Sequence, residues 1–132
     1  MGVRVLVIDD SDVFLEAASQ VVRAIPGFRL VGGASSGEHG IELASTEHPD
    51  LVIVDVILPG IDGLETCRQL RRLDPQPFII MCSVEDDPRR RIVGLPCSQA
   101  PFLSKADFSR ASLVRLWQEQ TPPDASDPQA QR

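Results

Sequence analysis

Acidic residues follow two apolar runs of the sequence, and these positions need an explanation. Asp55 ends the run "LVIVD", and Asp9 and Asp10 follow the run "VRVLVI". An ionised carboxylate inside an apolar strand costs roughly several kcal/mol unless it is paired or bound to a metal. We therefore expect Asp55 to lie at a strand tip and to face a polar cleft.

Two further polar residues end later apolar runs. Ser83 ends "FIIMCS", and Lys105 ends "PFLSK". Clustered carboxylates repel one another, and a hard divalent cation such as Mg²⁺ neutralises them while leaving room for a phosphate oxygen. One carboxylate can then attack phosphorus and form an acyl phosphate, with Lys105 neutralising another phosphate oxygen. Asp55, a single acid with apolar neighbours, is the better nucleophile candidate, and Asp9 with Asp10 is the better metal platform.

The elements that would position these residues alternate between strand and helix. Aliphatic runs predict strands at residues 3–8, 28–34, 51–55 and 78–83, with a weaker one at 101–105. Apolar residues at a spacing of about 3.6 predict helices within 13–25, 37–47, 63–73 and about 109–119. This alternation predicts an α/β fold with a doubly wound five-stranded parallel sheet. The candidate residues would then meet at the carboxyl ends of the strands.

Composition limits the classes of protein to consider. The 132 residues are 42% hydrophobic and 24% charged, which is typical of one globular domain. The net charge of -6 disfavours nonspecific binding to nucleic acid or membranes. No apolar run approaches the roughly 18 residues of a membrane span. Residues 120–132 contain three prolines and only alanine as an aliphatic type, so we expect a domain at 1–119 followed by a disordered tail or linker stub.

The three cysteines, Cys67, Cys82 and Cys97, show no metal-binding spacing. An odd number leaves one unpaired in any arrangement, which favours a reducing cytoplasm. We expect the cysteines to fill the core, with Cys97 beside Pro96 as the one that a loop could expose.

Four segments, in this order and spacing, resemble the receiver domain of two-component response regulators. They are "VLVIDDSD", "DLVIVDVILPGIDGLE", "FIIMCSVEDD" and "PFLSK". Each segment alone is weak evidence for the family, but the combination of all four is highly specific. The resemblance covers residues 3 to about 119. The resemblance implies a flavodoxin-like fold in which βα is repeated five times. It also implies a signalling domain rather than an enzyme, acting in the cytoplasm.

The resemblance also implies roles for individual residues. Asp55 would be the phosphoacceptor, and Lys105 would bind the phosphate. Asp9, Asp10 and Asp55, with the backbone carbonyl of Ile57, would hold Mg²⁺. A hydroxyl and an aromatic ring, those of Ser83 and Phe102, would form the switch. A sensor histidine kinase or a phosphotransfer protein would donate the phosphoryl group, and a second copy of the chain is a further candidate partner. Nucleic acid would be a partner only if a C-terminal DNA-binding domain is missing from this chain.

The sequence departs from the family pattern at three places. Lys105 is followed by Ala106 and Asp107, where many receivers have proline. Pro96 limits the fourth helix, which we expect at about 88–93. Ile57 places an apolar side chain where it would screen attacking water, so we expect it to affect the lifetime of the acyl phosphate.

Two other functions remain open at this point. "DSDVF" partly resembles the D-x-D-x-T motif of haloacid-dehalogenase-type phosphatases, in which Asp10 would be the nucleophile, but Phe14 holds the hydroxyl position. The second alternative is a receiver-like binding module that acts without phosphorylation. The irregular segment before the fifth strand favours that reading, whereas the complete set of polar residues opposes it.

Overall fold

The computed structural model describes residues 2–84, 87, 97 and 99–120. Within these residues the strands are β1 (Val3–Ile8), β2 (Phe28–Ala34), β3 (Leu51–Asp55), β4 (Phe78–Ser83) and β5 (Phe102–Ser104). The helices are α1 (Asp12–Arg23), α2 (Gly37–Glu47), α3 (Gly63–Leu70) and α4 (Arg110–Gln120). A 3₁₀ turn, Lys105–Asp107, follows β5.

The strands form one parallel sheet in the order β2-β1-β3-β4-β5. This confirms the predicted α/β fold. β3 is buried along its whole length, as expected for an aliphatic strand with helices on both faces. β2 pairs with one side of β1, and β3 pairs with the other side, so the chain reverses its direction across the sheet after β2. The sheet therefore opens a crevice between the carboxyl ends of β1 and β3, where open α/β sheets bind their ligands.

Alternate side chains of the strands fill two apolar cores. One core includes Leu6, Ile8, Val52 and Val54 and packs against residues of α2 and α3. The other includes Val5, Val7, Leu51 and Ile53 and packs against residues of α1 and α4. This period of two along each strand fixes which side chains enter which core. The sheet is thus held from both sides, and the polar strand ends are left at its edge.

The helix boundaries follow from local signals. Ser11 caps α1, since its side chain accepts a hydrogen bond from the Phe14 N–H at 3.2 Å. Asp62 caps α3 in the same way, accepting from the Glu65 N–H at 2.8 Å. α3 ends at Leu70 rather than at residue 73, because the chain leaves the helix in a turn in which the Leu73 N–H donates to the Leu70 carbonyl at 3.1 Å.

The expectation that the cysteines fill the core is confirmed, because Cys67, Cys82 and Cys97 are all buried, whereas their pairing was not predicted and the possible exposure of Cys97 is wrong. Cys67 and Cys97 form a disulfide, and Cys82 is a buried free cysteine. Cys97 is only 6% exposed, because its sulfur bonds to Cys67 in the core against α3 rather than pointing to solvent. The cysteines therefore do not by themselves identify a compartment.

Two expectations fall outside the described residues, namely the fourth helix at 88–93 and the tail beyond Gln120, the last residue of α4. Across the described part of the chain, no helix combines the length and the apolar character needed to cross a membrane.

Candidate functional site

A buried ion-pair cluster lies at the carboxyl ends of β1 and β3. The Nζ atom of Lys105 lies 2.7 Å from Asp9 Oδ2 and 3.0 Å from Asp55 Oδ2. The side chains of Lys105, Asp9 and Asp55 are 12%, 1% and 8% exposed. The pairing of β1 with β3 aligns Ile8 with Val54, so the next residues, Asp9 and Asp55, are neighbours. Lys105 reaches them from the 3₁₀ turn after β5.

Backbone N–H groups hold the other oxygens of these two carboxylates. The Ser11 N–H donates to Asp9 Oδ1 at 2.9 Å, and the Ile57 N–H donates to Asp55 Oδ1 at 3.0 Å. Each carboxylate is therefore fixed by the loop that follows its own strand. Its second oxygen faces Lys105. Asp55 consequently presents Oδ2 toward the crevice in a defined orientation.

The charges of the cluster perturb its protonation. Burial raises the pKa of Asp9, although contacts with Lys105 and Ser11 act in the opposite direction. Burial acts to lower the pKa of Lys105, but hydrogen bonding to Asp9 and Asp55 outweighs it, and the net effect is a raised pKa. Lys105 is thus held as a cation, which partly neutralises the acids.

Asp10 completes a cluster of carboxylates that could hold a metal. Ligand oxygens of Asp9, Asp10 and Asp55 lie within 4.8 Å of one another. Asp9 Oδ2 is buried, and its close neighbour is Lys105 Nζ at 2.7 Å. With three carboxylates and one ammonium, the cluster has an excess of two negative charges. Hard oxygen donors with excess negative charge fit Mg²⁺, which agrees with the ion expected from the sequence.

Two of the remaining expected residues, Ser83 and Ile57, lie at the same edge of the sheet. Ser83 is the last residue of β4 and is fully buried, and its register partner on β5 is Ser104. Phe102 is the first residue of β5 and packs, half-buried, against the core on the α2 and α3 side. Ile57 is 54% exposed directly after the acidic strand end. The structure therefore places Ser83 and Ile57 at this edge and Phe102 at the start of β5, and their roles in switching and metal binding stay predictions.

Sequence reasoning missed the site role of Phe14. The sequence placed Phe14 in the first helix and at the hydroxyl position of the phosphatase-like motif, but not beside Lys105. In the structure the Nζ atom of Lys105 lies 4.5 Å from the centroid of the Phe14 ring, and the ring makes an edge contact with Phe108 at 5.3 Å between centroids. A ring face attracts an ammonium group. The position of Phe14 in the first turn after the acid pair was the available signal.

Gly63 was also missed, although its position beside Asp62 marked a turn. Its N–H donates to the Val56 carbonyl at 2.9 Å, which brings the start of α3 against the end of β3. A Cβ atom at position 63 would overlap the carbonyl oxygen of Asp55 and would lie 2.7 Å from the Val56 Cα atom. Only glycine permits this approach. Gly63 therefore helps to position the Asp55 backbone.

Comparison with known proteins identifies the same architecture. Residues 5–117 match the family model of the response regulator receiver domain. The signal receiver domain of the putative response regulator NarL from Mycobacterium tuberculosis superposes with a TM-score of 0.77 at 27% identity, covering 92% of this chain and 98% of that one.

Curated relatives are longer than this chain. The transcriptional regulatory protein AfsQ1 of Streptomyces coelicolor is 42% identical over 111 residues, covering 84% of this chain and 48% of that protein. The nitrate/nitrite response regulator protein NarL of Escherichia coli is 35% identical over 111 residues, covering 84% of this chain and 51% of that protein. The chain thus spans about half the length of these relatives. Its sequence, fold and acidic cluster agree, and the chain belongs to the response regulator receiver domain family, the signalling domain of two-component systems.

Proposed function

We propose that this chain is a phosphorylation-activated receiver in which Asp55 accepts a phosphoryl group in a Mg²⁺-dependent reaction. The donor would be a sensor histidine kinase or a phosphotransfer protein. The observation that carries the proposal is the bridge of Lys105 between Asp9 and Asp55 within a carboxylate cluster suited to a metal. Such an arrangement orients one carboxylate and supplies positive charge beside it.

The proposed reaction is a displacement at phosphorus. Oδ2 of Asp55 forms the new O–P bond while the P–N bond of the donor phosphohistidine breaks, and the donor imidazole leaves with the electron pair and takes up a proton. The Ile57 N–H supports this step because it holds Oδ1 at 3.0 Å and so fixes the direction of Oδ2. Lys105, already 3.0 Å from Oδ2, stays in reach of a phosphoryl oxygen bound there.

The metal residues would be Asp9, Asp10 and Asp55, with the carbonyl of Ile57 as a further ligand. When bound, Mg²⁺ would neutralise the excess charge of the carboxylates and contact a phosphoryl oxygen. Asp9 supports this assignment, because it is a buried carboxylate of the cluster whose Oδ1 is held by the Ser11 N–H and whose Oδ2 is paired with a mobile type of cation, the ammonium of Lys105.

The proposed switch is a shift between two arrangements of the same face. A phosphoryl group on Asp55 adds negative charge and strong acceptor oxygens. Ser83 would donate its hydroxyl hydrogen to this group, and the Phe102 ring would move with the loop after β4. Only contacts that differ between the two arrangements can move such an equilibrium. The changed surface would then regulate a partner or an attached output domain, in the cytoplasm.

Acetyl phosphate with Mg²⁺ tests the acceptor. Intact-mass measurements should show one added phosphoryl group on the wild-type chain and none on Asp55→Asn. Asp12→Asn is the matched control, because Asp12 is an exposed acid of the same acidic segment outside the carboxylate cluster and should leave labelling unchanged. Labelling of Asp55→Asn at the wild-type rate would refute the proposal.

The same experiment separates the alternatives. A haloacid-dehalogenase-type phosphatase would turn over a phosphomonoester, and it would lose activity in Asp12→Asn because Asp12 would be the acid at the second aspartate of its D-x-D-x-T motif. A receiver-like module that works without phosphorylation would take up no label and would show no spectral change with beryllofluoride and Mg²⁺, which together mimic an acyl phosphate. The proposed receiver requires labelling, a beryllofluoride response and no turnover of a phosphomonoester.

A further inference from the structure

The Cys67–Cys97 disulfide joins α3 to the chain that enters β5. The two Cα atoms are 6.3 Å apart, and the residues are separated by 30 positions in the sequence. Two backbone hydrogen bonds hold the chain between Cys97 and β5. The Cys97 carbonyl accepts from the Ala100 N–H at 3.1 Å, and the Pro101 carbonyl accepts from the Met81 N–H at 2.8 Å. The bridge therefore fastens the start of β5 to a neighbouring helix.

The two ends of this bridge connect to the proposed phosphoryl switch. On one side, the start of α3 packs against the end of β3, because the Gly63 N–H donates to the Val56 carbonyl at 2.9 Å. On the other side, β5 begins with Phe102, and Lys105 follows that strand. The covalent loop also encloses β4, which ends at Ser83. The disulfide thus links α3, which packs beside Asp55, to the start of β5, and it closes a loop that contains β4.

We propose that Cys67 and Cys97 form a reversible thiol–disulfide exchange site, whose oxidation holds the start of β5 in place and opposes the phosphoryl switch. The inference rests on the proposed function, which assigns a cytoplasmic signalling role. Disulfides in that compartment are uncommon, and those that occur are mostly transient and either catalytic or redox-sensing. The reductant would be a dithiol, and the oxidant a low-molecular-weight disulfide such as glutathione disulfide.

Reduction of the disulfide transfers two electrons from the dithiol to the sulfurs of Cys67 and Cys97. A thiolate of the dithiol attacks the Cys97 sulfur, the S–S bond breaks, and Cys67 leaves as a thiolate that takes up a proton. The second thiol of the reductant then attacks the mixed disulfide, releases the Cys97 thiolate and closes a cyclic disulfide. Cys97 is the expected point of attack, because it is 6% exposed whereas Cys67 is fully buried. Attack therefore requires local opening of the chain around Cys97.

The disulfide opposes the phosphoryl switch because it restrains the start of β5. The oxidised chain holds the arrangement in which Lys105 bridges the two unphosphorylated carboxylates. Reduction removes the covalent tie but leaves the hydrogen bonds of β5, so the strand gains freedom to rearrange. Because coupling between two sites is reciprocal, occupation of Asp55 would in turn favour the reduced cysteines.

The first test does not depend on phosphorylation. The chain is equilibrated in buffer rich in glutathione disulfide or in dithiothreitol, alkylated after denaturation and weighed. We expect one alkylated cysteine, Cys82, in the oxidised form and three in the reduced form. Backbone amides of β5 should exchange hydrogen at least about five-fold faster after reduction. Three free thiols in the oxidising buffer, or equal exchange rates in β5, would overturn the proposal.

The second test measures the coupling. With Mg²⁺ present, the reduced chain should reach half-saturation at a beryllofluoride concentration at least about five-fold lower than the oxidised chain. Cys97→Ser should behave as the reduced chain in both buffers. The matched control Cys82→Ser keeps the bridge and should keep the redox response. Equal midpoints in the two forms would overturn the coupling. If neither form binds beryllofluoride, the coupling to the switch fails together with the proposed function, whereas the thiol count and the amide exchange still decide whether the bridge forms and holds β5.

Discussion

Lys105 is the single lysine of the chain, and its ammonium lies between two buried carboxylates. Buried acids without a counter-charge oppose folding. Burial also raises the pKa of Asp9 in the folded protein. The cost of ionising Asp9 is therefore absent below its ordinary pKa and appears as the pH rises through the raised folded value. Lys105 offsets this cost at neutral pH.

Replacement of this lysine should therefore destabilise the metal-free protein in a pH-dependent way. We expect Lys105→Met to lower the free energy of unfolding by about 2–4 kcal/mol at pH 7, because both carboxylates lose their cation. The difference from wild type should shrink as the pH falls toward about 4, because Asp9, whose pKa is raised by burial, takes up a proton. Urea unfolding at the two pH values measures this. Lys105→Arg, which keeps the charge, is the control, and an equal loss in both variants would contradict the electrostatic explanation.

The reactivity of the Cys82 thiol reports how strongly the sheet buries this residue. Burial raises the pKa of its thiol to about 12. Because of this raised pKa, the thiolate fraction of Cys82 at pH 8 should be on the order of 1000-fold smaller than that of an ordinary cysteine. Only the thiolate reacts with an alkylating agent, so the reaction rate should fall by a similar factor. We expect iodoacetamide to modify Cys82 that much more slowly in the folded oxidised chain than in urea. Comparable rates in the two conditions would show that the thiol is accessible and ionised in the folded protein.

At the scale of elements, the packing of α3 against β3 positions the acceptor loop. Gly63→Ala should push the start of α3 away, because the added Cβ would overlap the Asp55 carbonyl oxygen. We expect a loss of about 1–3 kcal/mol in unfolding free energy, together with slower labelling by acetyl phosphate. Gly33→Ala is a matched control, since a Cβ there meets its nearest side chain, that of Leu15, at an ordinary 3.7 Å. Equal effects of the two substitutions would contradict the positioning role of Gly63.

The sequence predicted the elements well because their signals are local. Aliphatic runs located the strands, and helical spacing located the four helices among the described residues. Parallel connectivity then placed Asp9 and Asp55 at one edge, which the register of β1 with β3 confirms. Contacts between distant side chains carry no such signal. The stacking of Lys105 over Phe14 and the choice of Cys67 with Cys97 among three pairings depend on tertiary packing.

At the scale of the whole molecule, the described residues already contain two cores, one on each face of the sheet. The segment 121–132 has no aliphatic residue larger than alanine to add to either core. We propose that the folding unit ends with α4, and we expect truncation after Gln120 to change the unfolding free energy by less than about 0.5 kcal/mol. Labelling by acetyl phosphate should also be unchanged. A larger loss of stability would show that the segment packs on the domain.

The location of the phosphoryl group tests the central claim most directly. The chain is labelled with acetyl phosphate and Mg²⁺, reduced with borohydride to convert the acyl phosphate into a stable product, digested and mapped by tandem mass spectrometry. We expect the reduced residue at position 55 and at no other acid. A label at Asp10, or at any carboxylate outside the crevice between β1 and β3, would contradict the account.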